Sequence, residues 1–148
     1  MAGVRLKGFN ELERKLVGLE KKVGKKIVRK ATRKAAKPAA DQAKHNALSM
    51  VGGNMGGAIS KNIHIRAFRK QKKGQYGVSV KLKPGISEFI HIGKSGTRYY
   101  IPAAIEYGHD NAMGIPFMRM ASDMTKHKRI KILGLELAKG IKAVAKSG

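Results

Sequence analysis

Few residues of this 148-residue chain have the types and the spacing that catalysis requires. The five histidines are scattered, none belongs to a His-x-x-x-His pair, and the chain has no cysteine that could complete a metal site. No serine lies in the glycine-flanked turn of a nucleophile elbow. We therefore expect no enzyme activity, no metal and no cofactor.

Two glycine-rich stretches have part of the pattern that cradles phosphate groups. Residues 52–57 have the glycine spacing of G-x-x-x-x-G, but Ala58 and Ile59 stand where lysine and serine or threonine are needed. The stretch 93–95 has the right ending, yet Glu88 occupies the position of the first glycine, where a carboxylate would repel phosphate. Both stretches are better explained as flexible connections.

Glu106 is the carboxylate with the most apolar sequence environment, since Ala103, Ala104 and Ile105 precede it. A buried carboxylate needs a cation or backbone N–H donors, and the 32 Lys and Arg side chains supply candidates. A structural ion pair is therefore favoured over general acid–base chemistry for Glu106.

The excess of cations is the strongest chemical signal in the sequence. Lys and Arg outnumber Asp and Glu by 32 to 9, and the net charge of +23 divides into +10 for residues 1–50, +9 for 51–100 and +4 for 101–148. Such a balance attracts polyanions, whether nucleic acid, anionic membrane or acidic protein. Two clusters are candidates for contact with DNA or an acidic partner, and a merely solvated charged surface is the open alternative. They are Lys25, Arg29 and Arg33 on one face of a predicted helix, and Arg69, Lys70, Lys72 and Lys73 in a predicted loop.

Length and hydropathy limit the number of domains and indicate whether the chain can enter a membrane. With 42% apolar residues, residues 1–148 are expected to form a single domain with one modest core. The apolar runs are too short for a transmembrane helix, and we expect no membrane partner. Because the first residues lack the apolar segment of a signal peptide, we expect the chain to be made and kept in the cytoplasm.

Hydrophobic periodicity predicts helices at both ends of the chain. One helix should open at Asn10, which forms a capping-box pattern with Glu13, and break near residues 18–24. A longer helix should run from about residue 22 to about residue 48 with Pro38 inside it, followed by a glycine-rich loop at 49–58. Residues 115–145 should form the last helix.

Alternation of apolar residues predicts strands in the middle of the chain. The candidates are residues 59–68, 76–83 and 87–92, and Pro84 and Gly85 fit a type II turn between the last two. Residues 99–107 are compatible with either a short helix or a fourth strand. The predicted fold is α+β, a small antiparallel β-sheet flanked by a long N-terminal helix and a C-terminal helix.

Five short stretches, taken together and in order, resemble one protein family. They are the opening 4–12, the lysine- and alanine-rich helix with Pro38, Gly56 to Ile63, Tyr99 to Gly108, and Pro116 to Ala121. In this order and spacing the chain resembles the tail-completion (neck) proteins of long-tailed bacteriophages, also labelled head–tail joining proteins. The family's usual Thr, Ser, Thr and Pro are replaced here by Gly56, Asn62, His109 and Met120.

The resemblance implies a non-enzymatic virion component at the head–tail junction, made in the host cytoplasm. Such a protein would form a ring, expected to be a hexamer of identical copies, between head-closure and tail-terminator proteins around double-stranded DNA. The resemblance also implies structural roles for nine motif residues. They are Gly57, Ile59, Ile63, Tyr100, Glu106, Gly108, Pro116, Phe117 and Arg119.

The phosphates of DNA can neutralise only a small part of the positive charge of such a ring. Six copies at +23 each would carry 138 net positive charges, whereas about 40 Å of duplex presents about 24 phosphates. Acidic neighbouring proteins are therefore expected to face a good share of the charge. The alternative function is that of a small, freely acting basic nucleic-acid-binding protein.

Overall fold

The computed structural model describes residues 8–19, 21–72 and 75–147, and it confirms the α+β class. The helices are α1 (Phe9–Val17), α2 (Lys21–Asn46), α3 (Gly53–Asn62), α4 (Ile101–Tyr107) and α5 (Phe117–Ser147). The strands are β1 (Ile63–Ala67), β2 (Val78–Leu82), β3 (Ile90–Ile92), β4 (Arg98–Tyr100), β5 (Gly108–His109) and β6 (Ala112–Met113). Among the described residues, no helix combines the length and the apolar composition that crossing a membrane requires.

The two long helices, α2 and α5, pack against each other and form the frame of the molecule. Small residues make this packing possible, since the buried face of α2 consists mainly of alanines. Buried alanines recur at every fourth residue across Pro38, at Ala31, Ala35, Ala39, Ala43 and Ala47, and Ala40 joins them just after the proline. Pro38 lies inside the continuous helix, as predicted.

The first helix, α1, lies against α2 and α5 and closes a small apolar cluster. Ile27, Ala31 and Leu137 are its buried members, and Phe9 and Leu12 pack on them from α1. The predicted capping box does not form, because α1 begins one residue earlier, after Gly8, and has no side-chain cap. Gly18 ends the helix within the predicted break.

The predicted glycine-rich loop at residues 49–58 is wrong, because the chain stays helical through most of it. A π-helical turn (Ala47–Val51) continues α2, and α3 follows after Gly52, whose φ of +69° turns the chain. Helix α3 packs closely on the π-helical turn, so that a Cβ on Gly56 would lie 2.5 Å from the Ala47 carbonyl oxygen. Glycine is therefore used here for close packing as well as for turning.

This close approach predicts opposite effects for two neighbouring glycines. Gly56→Ala should lower the free energy of unfolding by about 1–3 kcal/mol, because the new methyl group meets a fixed backbone oxygen. Gly57→Ala is the matched control: no atom lies within 4 Å of its added Cβ, and alanine favours a helix over glycine by up to about 1 kcal/mol. Urea unfolding of both variants measures the difference, and two equal losses would contradict the packing argument.

The strands form three separate antiparallel pairs, β1–β2, β3–β4 and β5–β6. In the first pair Ile63 faces Leu82 and Ala67 faces Val78. The predicted strands were each too long at one or both ends, because residues 59–62 belong to α3 and residues 87–89 form a 3-10 turn. Both alternatives for residues 99–107 are realised, since β4 ends at Tyr100 and α4 begins at the next residue.

The main core lies where the middle of the chain meets the start of α5. Ile59, Phe89 and Phe117 are its largest fully buried side chains. Ala43 and Ala47 of the α2 segment complete the cluster, and Val80 and Leu82 of β2 pack against it from the sheet. This core therefore holds the β1–β2 pair, the β3–β4 pair and α4 against the two long helices.

Candidate interaction surfaces

The carboxylate of Glu106 joins the end of α4 to the beginning of α5. The carboxylate is 5% exposed and accepts three hydrogen bonds from one short segment. Its Oε2 accepts the backbone N–H of Met118 at 2.9 Å, while its Oε1 accepts the backbone N–H and the Nε of Arg119 at 3.0 and 3.1 Å. Arg119 also donates from Nη2 to the Glu106 carbonyl oxygen at 2.8 Å.

The Glu106 carboxylate supplies hydrogen-bond acceptors and a negative charge to the N-terminal end of α5. The first backbone N–H groups of a helix lack partners within it, and the helix dipole favours an anion there. Glu106, which lies in α4, therefore caps the N-terminal end of α5. The Arg119 guanidinium pairs with the Glu106 carboxylate and lies 4.9 Å from the centroid of the Tyr107 ring. The ion pair expected from the sequence is present, and both carboxylate oxygens are occupied by structural contacts.

Two glycines allow the chain between Glu106 and α5 to fold back tightly. Gly108 has a φ of +79°, and a Cβ on it would lie 2.6 Å from the backbone nitrogen of Gly114. A Cβ on Gly114 would lie 2.7 Å from the Glu106 carbonyl oxygen. The β5–β6 hairpin thus brings Pro116 and Phe117 directly beside α4, and the backbone N–H of Ile115 donates to the carbonyl of Ile105.

The other motif residues are distributed over the core and its edge. Ile59, Ile63 and Phe117 are buried together in the main core. Tyr100 packs edge-on against Phe89, with ring centroids 6.2 Å apart, and partial burial raises the pKa of its hydroxyl above the ordinary value. Gly57 lies in α3 with open space around it, so nothing in the structure explains a requirement for glycine there.

Tyr76, which follows the predicted basic loop, contacts two arginines of the predicted basic helix face. Its hydroxyl accepts a hydrogen bond from Arg33 Nε at 3.1 Å, and Arg29 Cζ lies 5.6 Å from the centroid of its ring. Both arginines project from α2, whereas Tyr76 follows the loop between β1 and β2. We call the combined region the Tyr76 surface. It comprises Tyr76, Lys25, Arg29 and Arg33 of α2, and Arg69, Lys70 and Lys72 of the loop; its six cationic residues are exposed.

The described part of the loop is held in place by Gln71. Its Nε2 donates to the carbonyl oxygens of Phe68 and Gly77, both at 3.0 Å, and its Oε1 accepts the backbone N–H of Gly77 at 2.9 Å. The cations on either side of Gln71 are therefore presented by an anchored segment. Lys73, the remaining predicted member of the cluster, lies outside the described residues.

Sequence reasoning missed Tyr76 and Gln71 as organisers of this surface. The sequence places Tyr76 at the start of the predicted strand 76–83 and Gln71 among the cations of the predicted loop. No local pattern signals the role of Tyr76, because its hydrogen bond to Arg33 joins residues 43 positions apart in the chain.

A second exposed surface, on the β3–β4 hairpin, is largely apolar. All six residues of β3 and β4 are exposed, and among them Ile90, Ile92, Tyr99 and Tyr100 are 42–59% exposed. A groove of about 760 Å³ runs beside this hairpin between α2, β2, α4 and α5. Its lining includes Ala35, Ala39, Val78, Val80, Pro102 and Ile130.

These features define a class of protein before any comparison is made. Within the described ranges no group of three or more His, Asp or Glu side chains is placed to hold a metal ion. Glu106, the one carboxylate with an apolar setting, serves the fold. The exposed features that remain, the Tyr76 surface and the β3–β4 hairpin, are surfaces of the kind by which structural assembly proteins contact other macromolecules.

Comparison with protein families agrees with this class. The model of the family described as "Bacteriophage HK97-gp10, putative tail-component" matches residues 10–100, from α1 to β4. Because the match covers more than half of the chain, the protein belongs to this family and is a tail-associated structural component of a bacteriophage virion. Comparisons with curated proteins and with solved structures yield no match.

Proposed function

We propose that the protein is a tail-completion (neck) protein of the head–tail connector, which assembles as a ring around the DNA path between the head-closure and tail-terminator proteins. Membership of the phage tail-component family carries this proposal. The order of the five sequence motifs supports the neck among other tail positions, and the Glu106 contacts give the motifs that contain Glu106 and Arg119 a structural reason. We further propose that residues 1–148 act as one domain and that six copies form the ring.

A closed ring of identical subunits needs two different faces that fit each other. At +23 per copy, subunits repel one another, so contacts should form where free charge is sparse. The β3–β4 hairpin and the neighbouring groove carry few such charges: Lys94 and Arg98 in the hairpin, and Lys81 in the lining of the groove, are cations that form no ion pair among the described residues. Of the arginines that line the groove, Arg119 is bound to Glu106 and Arg129 to Ser122 and Thr125. We therefore assign the hairpin of one copy to the groove of the next.

The hairpin assignment predicts a defect in assembly without a defect in folding. Ile92→Ser removes a side chain that is 59% exposed, so the free energy of unfolding should change by less than about 0.5 kcal/mol. If Ile92 is buried between subunits, its loss should reduce incorporation into virions about tenfold, the equivalent of roughly 1.5 kcal/mol. The variant is supplied in trans to a phage that lacks its own copy of the gene. Incorporation is then measured by immunoblotting of the purified virions.

Val17→Ser is the matched control, because Val17 is 80% exposed on α1, away from the hairpin. Its incorporation should equal that of the wild type. Equal incorporation of both variants would reject the hairpin as a subunit contact, while the neck location itself would still stand on other evidence.

Location in the virion tests the proposed function directly. Gold-labelled antibody against the protein, applied to disrupted virions, should mark the junction between head and tail in electron micrographs. Label at the tail tip or along the tail tube would overturn the neck assignment. Virions without label, together with label in the cytoplasm of sectioned infected cells, would favour the alternative, a freely acting basic nucleic-acid-binding protein.

A further inference from the structure

The exposed cations of the Tyr76 surface have no carboxylate partner among the described residues. In the described part of the chain, the three ion pairs use Glu11, Glu106 and Glu136, and none of these carboxylates contacts a cation of this surface. The lysines and arginines of the surface therefore repel one another in the free protein, and an external polyanion would relieve that repulsion.

We propose that the Tyr76 surface binds the sugar–phosphate backbone of duplex DNA without reading its sequence. This inference rests on the proposed function for its biological setting, since the neck surrounds the path of the viral DNA. It deepens that function by naming the residues that meet the DNA.

The spacing of the cations favours DNA over an irregular acidic protein. Lys25, Arg29 and Arg33 recur every four residues of α2, so successive cations are displaced by about 6 Å along the helix. Duplex DNA presents a regular row of phosphates, one per roughly 1.7 Å of axis when both strands are counted. A regular row of cations can meet several phosphates at once, and the loop that Gln71 anchors next to Tyr76 adds three more cations.

The aromatic residue of the surface favours duplex over single-stranded DNA. Proteins that bind single strands usually offer exposed aromatic rings on which bases can stack. The Tyr76 ring is half-buried, and its hydroxyl is bound to Arg33 while Arg29 lies over its face. The Tyr76 side chain holds Arg29 and Arg33 in position, and Gln71 holds the loop in position. Less conformational entropy is therefore lost when these segments bind phosphates.

The test compares two charge-matched variants of the full chain. The surface variant carries Lys25, Arg69, Lys70 and Lys72 as glutamine. All four side chains are exposed, and among the described residues none of them forms an ion pair, so folding should be preserved. The control variant carries Lys126, Lys128, Lys131 and Lys142 of α5 as glutamine, which removes the same charge from exposed positions. Fluorescence anisotropy with a labelled 30-base-pair duplex measures affinity from about 50 to 300 mM salt, and circular dichroism verifies the fold.

The expected result is a change in the salt dependence of binding for the surface variant alone. If all four removed cations meet phosphates, the slope of log K against log salt should become shallower by about 3 to 4, and affinity at low salt should fall at least tenfold. The control variant should change the slope by less than one. Equal changes in both variants would overturn the proposal, because binding would then depend on net charge alone.

Two further ligands distinguish the remaining possibilities. Polyglutamate of equal charge should bind at least tenfold more weakly than the duplex, and binding as tight as DNA would assign the surface to an acidic protein instead. A single-stranded oligonucleotide that bound more tightly than the duplex would also overturn the proposal. Because all these measurements use the isolated protein, they can fail while the protein is found at the neck, or succeed while it is found elsewhere.

Discussion

Replacing Glu106 with glutamine is expected to lower the free energy of unfolding by about 3 kcal/mol. The wild-type carboxylate accepts the backbone N–H groups of Met118 and Arg119 as well as the Arg119 Nε, and it is 5% exposed. A glutamine amide has one oxygen and one donor NH₂ group, so at least one buried N–H would face another donor. The lost charge also removes the favourable interaction with the α5 dipole. Urea unfolding followed by circular dichroism measures the loss.

Arg119→Gln separates the capping role of Glu106 from the ion pair. The Arg119 side chain is 55% exposed, so its interaction with Glu106 is screened by solvent and its loss should cost about 1 kcal/mol or less. The backbone N–H groups would still bind the carboxylate in this variant. A loss for Arg119→Gln as large as that for Glu106→Gln would mean that the ion pair, rather than the helix cap, stabilises this corner of the fold.

Phe117→Ala is expected to cost about 3–5 kcal/mol, because it opens a cavity in the main core. The Phe117 ring is 1% exposed and packs in the same cluster as Ile59 and Phe89. It is also the first residue of α5, and its carbonyl oxygen accepts a hydrogen bond from Asn46 at 3.1 Å. In a chain of this size such a loss lowers the melting temperature by roughly 10 °C or more, which a thermal scan detects readily.

Phe68→Ala is the matched control for Phe117→Ala. The same atoms are removed, but Phe68 is 53% exposed at the end of the β1–β2 pair, so the loss should stay near 1 kcal/mol. Phe117→Leu should fall between the two, because most of the volume is kept. Equal losses for the two alanine variants would contradict the placement of the main core at Phe117.

The helical and strand periodicities predicted most of the elements, and the failures have a common cause. Residues 49–58 were expected to be a loop because glycine disfavours helix by about 1 kcal/mol per residue. In the structure Gly56 is what lets α3 approach the carbonyl of Ala47, and the resulting packing outweighs the local preference. The capping box at Asn10 failed for a similar reason, since the packing of Phe9 on α2 and α5 begins the helix one residue earlier.

Only part of each candidate surface could be predicted from the sequence. Each basic cluster could be recognised from neighbouring residues, but the contact between Tyr76 and Arg33 joins residues 43 positions apart. The need of Glu106 for a partner followed from its apolar neighbours. The identity of that partner, and the two backbone donors beside it, followed only from the way in which the β5–β6 hairpin returns the chain to α4.

The amino-acid sequence by itself determined the charge of +23, the absence of cysteine, the α+β class and the resemblance to phage tail proteins. These properties depend on composition or on patterns among residues close together in the chain. Tertiary structure decided that position 56 requires glycine, which groups donate hydrogen bonds to Glu106, and that Tyr76 contacts Arg29 and Arg33 of α2. These outcomes depend on contacts between distant segments, whose free energies are set by packing and desolvation rather than by local propensity.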